Sequence, residues 1–321
     1  RLFYDKFYDT PILKRMDAVM EYFIDSYETL SGRDIEEEDR EFLQQKFDSM
    51  YVTKDIYAIY NRLMETCGWE PLSDVPYEKR KIPYEDVFPM LYLKYRLTGG
   101  STHKNIKHLV IDEMQDYSYL QYVIIHGLFN CRMTILGDRA QTLDREQHDV
   151  LRFLPKIFGR DIRIIIMNKS YRNTWEIATY AGKISGITDV ELLERHGKEV
   201  EEKSFATQEE MLQKIAEQSS VALNRKDGKF ETAAVITMTE EGAFDIYRLL
   251  RNRRVDASYV DRNSSVFKKG LTVTTFYLAK GLEFDQVFSI RGEKKNPLAK
   301  QAAYICATRA LHELYVYEVE A

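Results

Sequence analysis

The first hundred residues space their apolar side chains as helices do. Val19, Phe23, Tyr27 and Leu30 share one face of a 3.6-residue period, as do Leu43, Phe47 and Met50. A third helix is predicted to start at an N-cap Thr53, carry Ile56, Ile59, Tyr60 and Leu63 inward, and stop at Gly68. A fourth, around residues 88–97, accommodates Pro89 if it begins there, because proline suits a first turn. The acidic run 34–41 reads as a solvated helix face. No residue in this stretch carries obvious chemistry.

From residue 106 the period changes. Short apolar, largely β-branched runs at 109–111, 133–136, 162–166, 233–237, 271–275, 287–290 and 314–317 alternate with helical stretches. That alternation predicts βαβ units and a parallel sheet covered on both faces. Residues 189–210 hold eight acidic and three basic side chains and read as a surface connection. There is no internal repeat, and no linker long enough to separate autonomous domains.

Composition narrows the class. At 321 residues the chain is long enough for about two domains of roughly 150. With 44% hydrophobic and 30% charged residues it can bury a core. No apolar run approaches the ~18 residues of a membrane span, and no signal segment opens the chain. Cys67, Cys131 and Cys306 are widely spaced, with no CxxC and no Cys/His pairing. They predict reduced thiols in a cytoplasmic protein, against a zinc site or a disulfide framework. A net charge of −5 lacks the strongly basic footprint of many nucleic-acid binders.

Five segments carry chemistry. His108-Leu-Val-Ile-Asp-Glu-Met-Gln-Asp116 is an apolar strand that delivers Asp112, Glu113, Gln115 and Asp116 to the carboxyl end of a parallel sheet, where open α/β folds bind ligands. Adjacent acids there suit phosphoryl chemistry: one to hold magnesium, the other to orient or deprotonate water. A strand ending in a solvated acidic turn would look the same. Met133-Thr-Ile-Leu-Gly-Asp-Arg-Ala-Gln-Thr142 is a second strand running into a polar turn, with Gly137 permitting the turn and Gln141 offering an amide. In Met167-Asn-Lys-Ser-Tyr-Arg-Asn173, Asn173 and Glu176 resemble a helix-start capping pair, which sets Tyr171 and Arg172 just before a helix. A tyrosine there can stack on a base and an arginine can reach a phosphate; a buried Tyr and a surface Arg are the plainer alternative. Val273-Thr-Thr-Phe-Tyr-Leu-Ala-Lys-Gly-Leu-Glu-Phe-Asp285 joins two predicted strands through Lys280, Gly281 and Glu283. Ala303-Tyr-Ile-Cys-Ala-Thr-Arg-Ala310 presents Arg309 from a helix, as a site residue or an ordinary surface arginine.

In this order the five closely resemble the motifs of superfamily 1A helicases of the UvrD/Rep/PcrA type, from about residue 106 to the end. The resemblance implies an α/β fold: two RecA-like, P-loop-NTPase-type parallel-sheet domains, the first incomplete, preceded by a helical segment. The divisions would be 1–97, 98–168 and 169–321. It further implies ATP and Mg2+ as cofactors and single-stranded or 3′-tailed duplex DNA as partner. Asp112 would help hold magnesium and Glu113 would be the catalytic base. Gln141 would sense the γ-phosphate, and Arg172 and Arg309 would be arginine fingers. Tyr171 would stack on adenine, Glu283 would bind ribose, and Gln115 would help bind the nucleotide. Thr275, Lys280 and Gly281 would lie near the nucleic-acid backbone.

Three departures shape the expectation. The phosphate loop GxxxxGK[ST] is absent: Gly182-Lys183, Gly197-Lys198 and Gly228-Lys229 each lack a glycine five positions before the second one. The chain therefore resembles the carboxy-terminal part of a longer protein whose Walker A segment lies upstream, and it is expected to be inactive alone. Only 97 residues separate Asn173 from Leu271, too few for the extra subdomain of UvrD and Rep. The family's histidine in TxHxxKGLEF is Tyr277, and this, with Arg195-His-Gly-Lys198, resembles the HelD (helicase IV-like) branch, whose bacterial members bind RNA polymerase. Three functions stay open: a motor ATPase on nucleic acid, a polymerase-binding factor whose ATPase drives release, and a helicase-like fold kept as a protein-binding module.

Overall fold

The structure, a computed structural model, describes residues 1–321 apart from 101–102, 104, 139–140, 142–149, 160, 187–189, 226–227, 229, 265–267, 293–295 and 321. The chain divides into two units, Arg1–Leu136 with Val150–Ile162, and Gly137–Asp149 with Arg163–Ala321.

Four helices open the first unit: α1 (Arg15–Ser31), α2 (Glu37–Asp48), α3 (Ile56–Thr66) and α4 (Tyr84–Thr98). Glu37, Glu38 and Asp39 fill the first turn of α2, where carboxylates meet the positive end of the helix dipole. The buried residues of α1 are Val19, Met20 and Ile24, whereas Phe23, Tyr27 and Leu30 are exposed. α1 is apolar over more than one stripe, so its period alone does not single out the buried one. The N-cap of α3 is Asp55 and not Thr53: its carboxylate accepts from Tyr57 N at 3.0 Å and pairs with Arg80 at 2.6 Å. Thr53 acts one step earlier, accepting from Asp55 N at 3.1 Å. Pro89 lies inside α4, which starts at Tyr84 after Pro83. It therefore removes one internal hydrogen bond and does not open the helix. Tyr57 and Tyr60 of α3 form a buried cluster with Met90 of α4.

The same unit continues through β1 (His108–Ile111), α5 (Tyr119–Leu128), β2 (Arg132–Ile135) and α6 (Val150–Phe158). β1 and β2 pair in parallel, from His108 opposite Arg132 to Ile111 opposite Ile135. Ile111, Tyr122, Val150 and Leu154 form the core beneath them.

The second unit holds β3 (Lys169–Ser170), α7 (Trp175–Ser185), β4 (Glu191–Leu192), β5 (Glu201–Phe205), α8 (Gln208–Leu223), β6 (Thr232–Thr237), α9 (Glu240–Asn252), β7 (Ala257–Tyr259), β8 (Gly270–Thr275), β9 (Phe284–Ile290), α10 (Ala299–Arg309) and β10 (Ala310–Val319). Six strands form one sheet in the order β5-β10-β9-β6-β8-β7, and every pairing is parallel. Alternate strand residues face opposite ways. Ala234, Ile236, Val287 and Val316 pack with Ile177 of α7 and Ile305 of α10. Ala233, Val235, Phe288 and Tyr317 pack with Ile215 of α8 and Ile246 of α9. Both faces are thus covered, which explains strands that are apolar without alternation. The fold class is α/β, with parallel sheets and a helical segment in front.

Two further expectations fail. Residues 162–166 form no strand, and Ile166 is 84% exposed. β propensity is present, but no strand pairs with the run among the described residues. The acidic stretch 189–210 is more than a connection, since Glu201–Phe205 is the edge strand β5, paired with Tyr315–Val319. Among the described residues no helix is long and apolar enough to cross a membrane.

Candidate functional site

In the first unit β1 ends in a tight acidic turn. Leu136 N donates to Ile111 O and Met114 N donates to Leu136 O, each at 2.8 Å, so the residue that follows β2 anchors both sides of Asp112-Glu113. Ser118 and Gln121 close a reciprocal capping box that starts α5. One turn on, Tyr122 is fully buried and its hydroxyl donates to Met114 O at 3.0 Å. Burial pushes the Tyr122 hydroxyl far above its usual pKa, keeping it a donor. Between these anchors Glu113 is held at φ 54, ψ 47, a left-handed conformation uncommon outside glycine. Such strain persists only where the surroundings over-determine it, and it concentrates at functional sites. Asp112 Oδ1 accepts from Glu113 N at 2.8 Å, and the buried Gln115 turns its amide onto the Glu113 carboxylate. The two acids therefore have fixed, different settings.

The second unit collects its candidates at the amino ends of β9 and β10. Ala310 is in register with Phe284, so Arg309 and Glu283 each come one residue before this paired position. Arg309 is 2% exposed, so it is not the surface arginine of the plainer alternative. A guanidinium that deep needs acceptors. Its Nη2 donates to Gln141 Oε1 at 3.2 Å and its Nη1 to Leu282 O at 3.4 Å. Gln141 is buried too, and its amide donates to Asp138 Oδ2 at 2.9 Å. The Tyr304 hydroxyl donates to the same oxygen at 3.0 Å. Arg172 pairs through Nε with Glu283 at 2.8 Å, both about half-exposed. Among the described residues these four candidates thus form two polar pairs, Arg309 with Gln141 and Arg172 with Glu283. Arg139, Ala140 and Thr142 of the same motif lie outside the described residues.

The remaining candidates are placed differently. Tyr171, beside Arg172, is 63% exposed and available for stacking. Thr275 ends β8 and is 1% exposed. Gly281 has φ 82, a turn that favours glycine between Lys280 and Glu283. The capping pair expected of Asn173 and Glu176 does not form: Thr174 is the N-cap of α7, without a side-chain cap bond. Asn173, buried, donates instead to Ala310 O at 2.6 Å, and Glu176 accepts from Gly197 N and His196 Nδ1, each at 2.8 Å. Burial works against ionised Glu176, but these donors outweigh it and hold the carboxyl below its ordinary pKa. Sequence reading gave no role to Asp138, Tyr304 or Arg195. All three lie inside quoted words of the sequence, GDRAQ, Ala303–Ala310 and Arg195–Lys198, but the bonds they make are not local.

No protein-family model matches the chain, and no curated protein matches it. Among solved structures, the C-terminal domain of a possible DNA helicase from Lactobacillus plantarum WCFS1 is 24% identical, with 47% of this chain and 88% of that one covered at a TM-score of 0.38. An arterivirus nonstructural protein 10 (helicase) is 15% identical, over 80% of this chain and 49% of that one, TM-score 0.38. The PRRSV helicase is 14% identical, over 82% and 45%, TM-score 0.38. The chain spans about half the length of the two viral helicases.

Proposed function

We propose that the chain is the carboxy-terminal part of a UvrD-like, superfamily 1 nucleic-acid-dependent ATPase of the HelD branch, coupling ATP hydrolysis to remodelling of nucleic-acid complexes. The observation that carries this reading is the buried Arg309 bonded to Gln141. Taking an arginine out of water is costly, and a site for transition-state charge is a use that repays it. In this reading Glu113 is the base that takes a proton from the attacking water, and its fixed backbone holds the carboxylate in place. Gln141 reads the γ-phosphate, while Arg172 and Arg309 stabilise charge as it develops there. Tyr171 stacks on adenine and Glu283 accepts from the ribose hydroxyls. Gln115 serves by orienting Glu113. Thr275, Lys280 and Gly281 form the segment nearest the nucleic-acid strand, with Thr275 acting through the backbone it fixes.

The single carboxylate of Asp112 at a strand end fits magnesium, which is bound through one or two carboxylates together with substrate phosphates. When bound, the metal neutralises phosphate charge. Because GxxxxGK[ST] is missing from these residues, the phosphate cradle belongs to a Walker A segment elsewhere in the full-length protein. Tyr277, Arg195-His-Gly-Lys198 and the net charge of −5 support the HelD branch and a role in releasing RNA polymerase. Co-purification with core RNA polymerase and weak unwinding are expected; strong unwinding of a 3′-tailed duplex without polymerase would return the protein to the UvrD type.

Steady-state ATPase assays on the full-length protein test the site. Glu113→Gln should keep nucleotide binding and abolish turnover. Arg309→Ala should slow turnover by roughly 10³ to 10⁵ with binding nearly intact, because a finger acts on the transition state. Tyr171→Ala should weaken binding and spare the maximal rate. An Arg309→Ala protein that hydrolyses ATP at the parent rate would overturn the proposal.

A further inference from the structure

The segment Arg195-His-Gly197 lies against Arg172, Thr174 and the first two residues of α7. Arg195 Nη1 donates to Arg172 O at 3.0 Å, and Trp175 N donates to Arg195 O at 2.9 Å. His196 and Gly197 hold the Glu176 carboxylate. A Cβ on Gly197 would fall 2.5 Å from Thr174 Cγ2, so the two stretches touch with no room for a side chain. The other half of the Arg195 fork turns to the start of β10: Nη2 donates to Leu311 O at 3.2 Å and meets His312 Nδ1 at 2.7 Å. Arginine can only donate, so His312 Nδ1 accepts, and burial, with Arg195 next in effect, lowers the pKa of His312 in the same sense.

Asn173 makes an independent link between the same two places. Its amide donates to Ala310 O at 2.6 Å and Thr308 O at 3.4 Å, the residues either side of Arg309. One planar fork and one amide thus join the backbone at 172–173 to the backbone at 308–311. Arg195 meets Arg172 at its backbone carbonyl, and Asn173 meets the carbonyls either side of Arg309. Their effect is on where the two guanidiniums start from.

We infer that Arg195 and Asn173 are positioning residues that set the spacing between Arg172 and Arg309, an inference that rests on the ATPase reading above. A displacement near 1 Å in such a group costs rate far more than binding. In the full-length protein Arg195→Ala should therefore lower kcat about ten- to a hundredfold, with KM for ATP within about twofold. Arg195→Lys, which supplies donors but no planar fork, should recover part of the loss. In an Arg309→Ala background, Arg195→Ala should add less than about twofold, because the group it positions is gone.

An unchanged kcat, or an equal loss in the parent and Arg309→Ala backgrounds, would overturn the inference. Amide hydrogen exchange supplies a readout that needs no ATPase. Arg195→Ala should speed exchange at 171–175 and 308–312 while α8 and α9 keep their protection. Unchanged exchange at both stretches, or a loss of protection spread over α8 and α9, would also overturn it. A parent protein without ATPase activity would sink the ATPase reading, while the exchange pattern would still report on the brace.

Discussion

The β1-β2 pair and the six-stranded sheet, both parallel, use similar strand sequences to different ends. Thr232–Thr237 of β6 is buried at every position after the first, with helices on both faces. In β1, His108–Ile111, only Ile111 is buried, and Val110 is 61% exposed. A run of β-branched residues specifies a strand, but what covers it is set by helices far away in sequence. The chemistry differs as well. In the first unit acids follow the carboxyl end of a strand, where loops are short and the backbone can be strained. In the second, arginine and glutamate precede the amino ends of β9 and β10, where strand register aligns them. One unit fixes its candidates by a turn, the other by a sheet.

The largest test of this contrast is truncation. Phe288, buried on the α8–α9 face, should cost about 3 to 5 kcal/mol when changed to alanine, through lost transfer energy and the cavity left behind. Val110→Ala should stay within about 0.5 kcal/mol. Urea unfolding of both variants checks the difference. A Val110→Ala penalty as large as that of Phe288→Ala would mean β1 is covered as fully as β6.

A smaller effect separates turn from sheet. Glu113 and Gly281 both have positive φ, at 54 and 82. Glu113→Gly removes strain and should raise stability by about 1 kcal/mol, net of the added freedom of the unfolded chain. Gly281→Ala introduces the same strain and should lower stability by about 1 to 2 kcal/mol. Thermal melts should show opposite signs. A destabilised Glu113→Gly protein would show that the acidic turn is held by the glutamate side chain more than by its anchors.

Legibility in the sequence followed the same division. β6, β8, β9 and β10 are readable because strands buried on both faces are continuous apolar runs. β5, Glu-Glu-Lys-Ser-Phe, is not readable, because an edge strand pairs on one side and keeps most of its side chains in water. Residues 162–166 show the converse, an apolar run that forms no strand. Of the candidate site, the motifs name Gln141, Arg172, Glu283 and Arg309, and the second unit pairs Arg309 with Gln141 and Arg172 with Glu283. The roles of Asn173 and Arg195 are illegible because the bonds that tie them to residues 308–311 span 116 to 137 positions of the chain. A helix-start pattern at Asn173 is local and therefore visible; a bond across the unit is neither.

The smallest effect concerns the helical part of the first unit, whose cluster is held by polar-tipped aromatics. Tyr57 donates its hydroxyl to Ser73 O at 2.8 Å, and Tyr60 donates to Asp86 Oδ1 at 2.6 Å. Burial, and then the Asp86 carboxylate, push the Tyr60 hydroxyl from 10.0 up to about 12. A pKa raised on folding means that the protonated form is favoured in the folded state. Its contribution is fully present below pH 10, and fades as pH rises from 10 to about 12. Tyr60→Phe should therefore cost about 1 kcal/mol at neutral pH, the net value of one buried hydrogen bond plus the unpaired Asp86. Above pH 11 the gap between parent and variant should narrow, because the parent has begun to lose what the variant never had. Thermal melts of the two proteins at pH 8 and pH 11.5 measure it, with every other tyrosine cancelling in the difference. A gap that stays constant with pH would show that Tyr60 is held by packing alone, as Ile236 and Val287 of the second unit are.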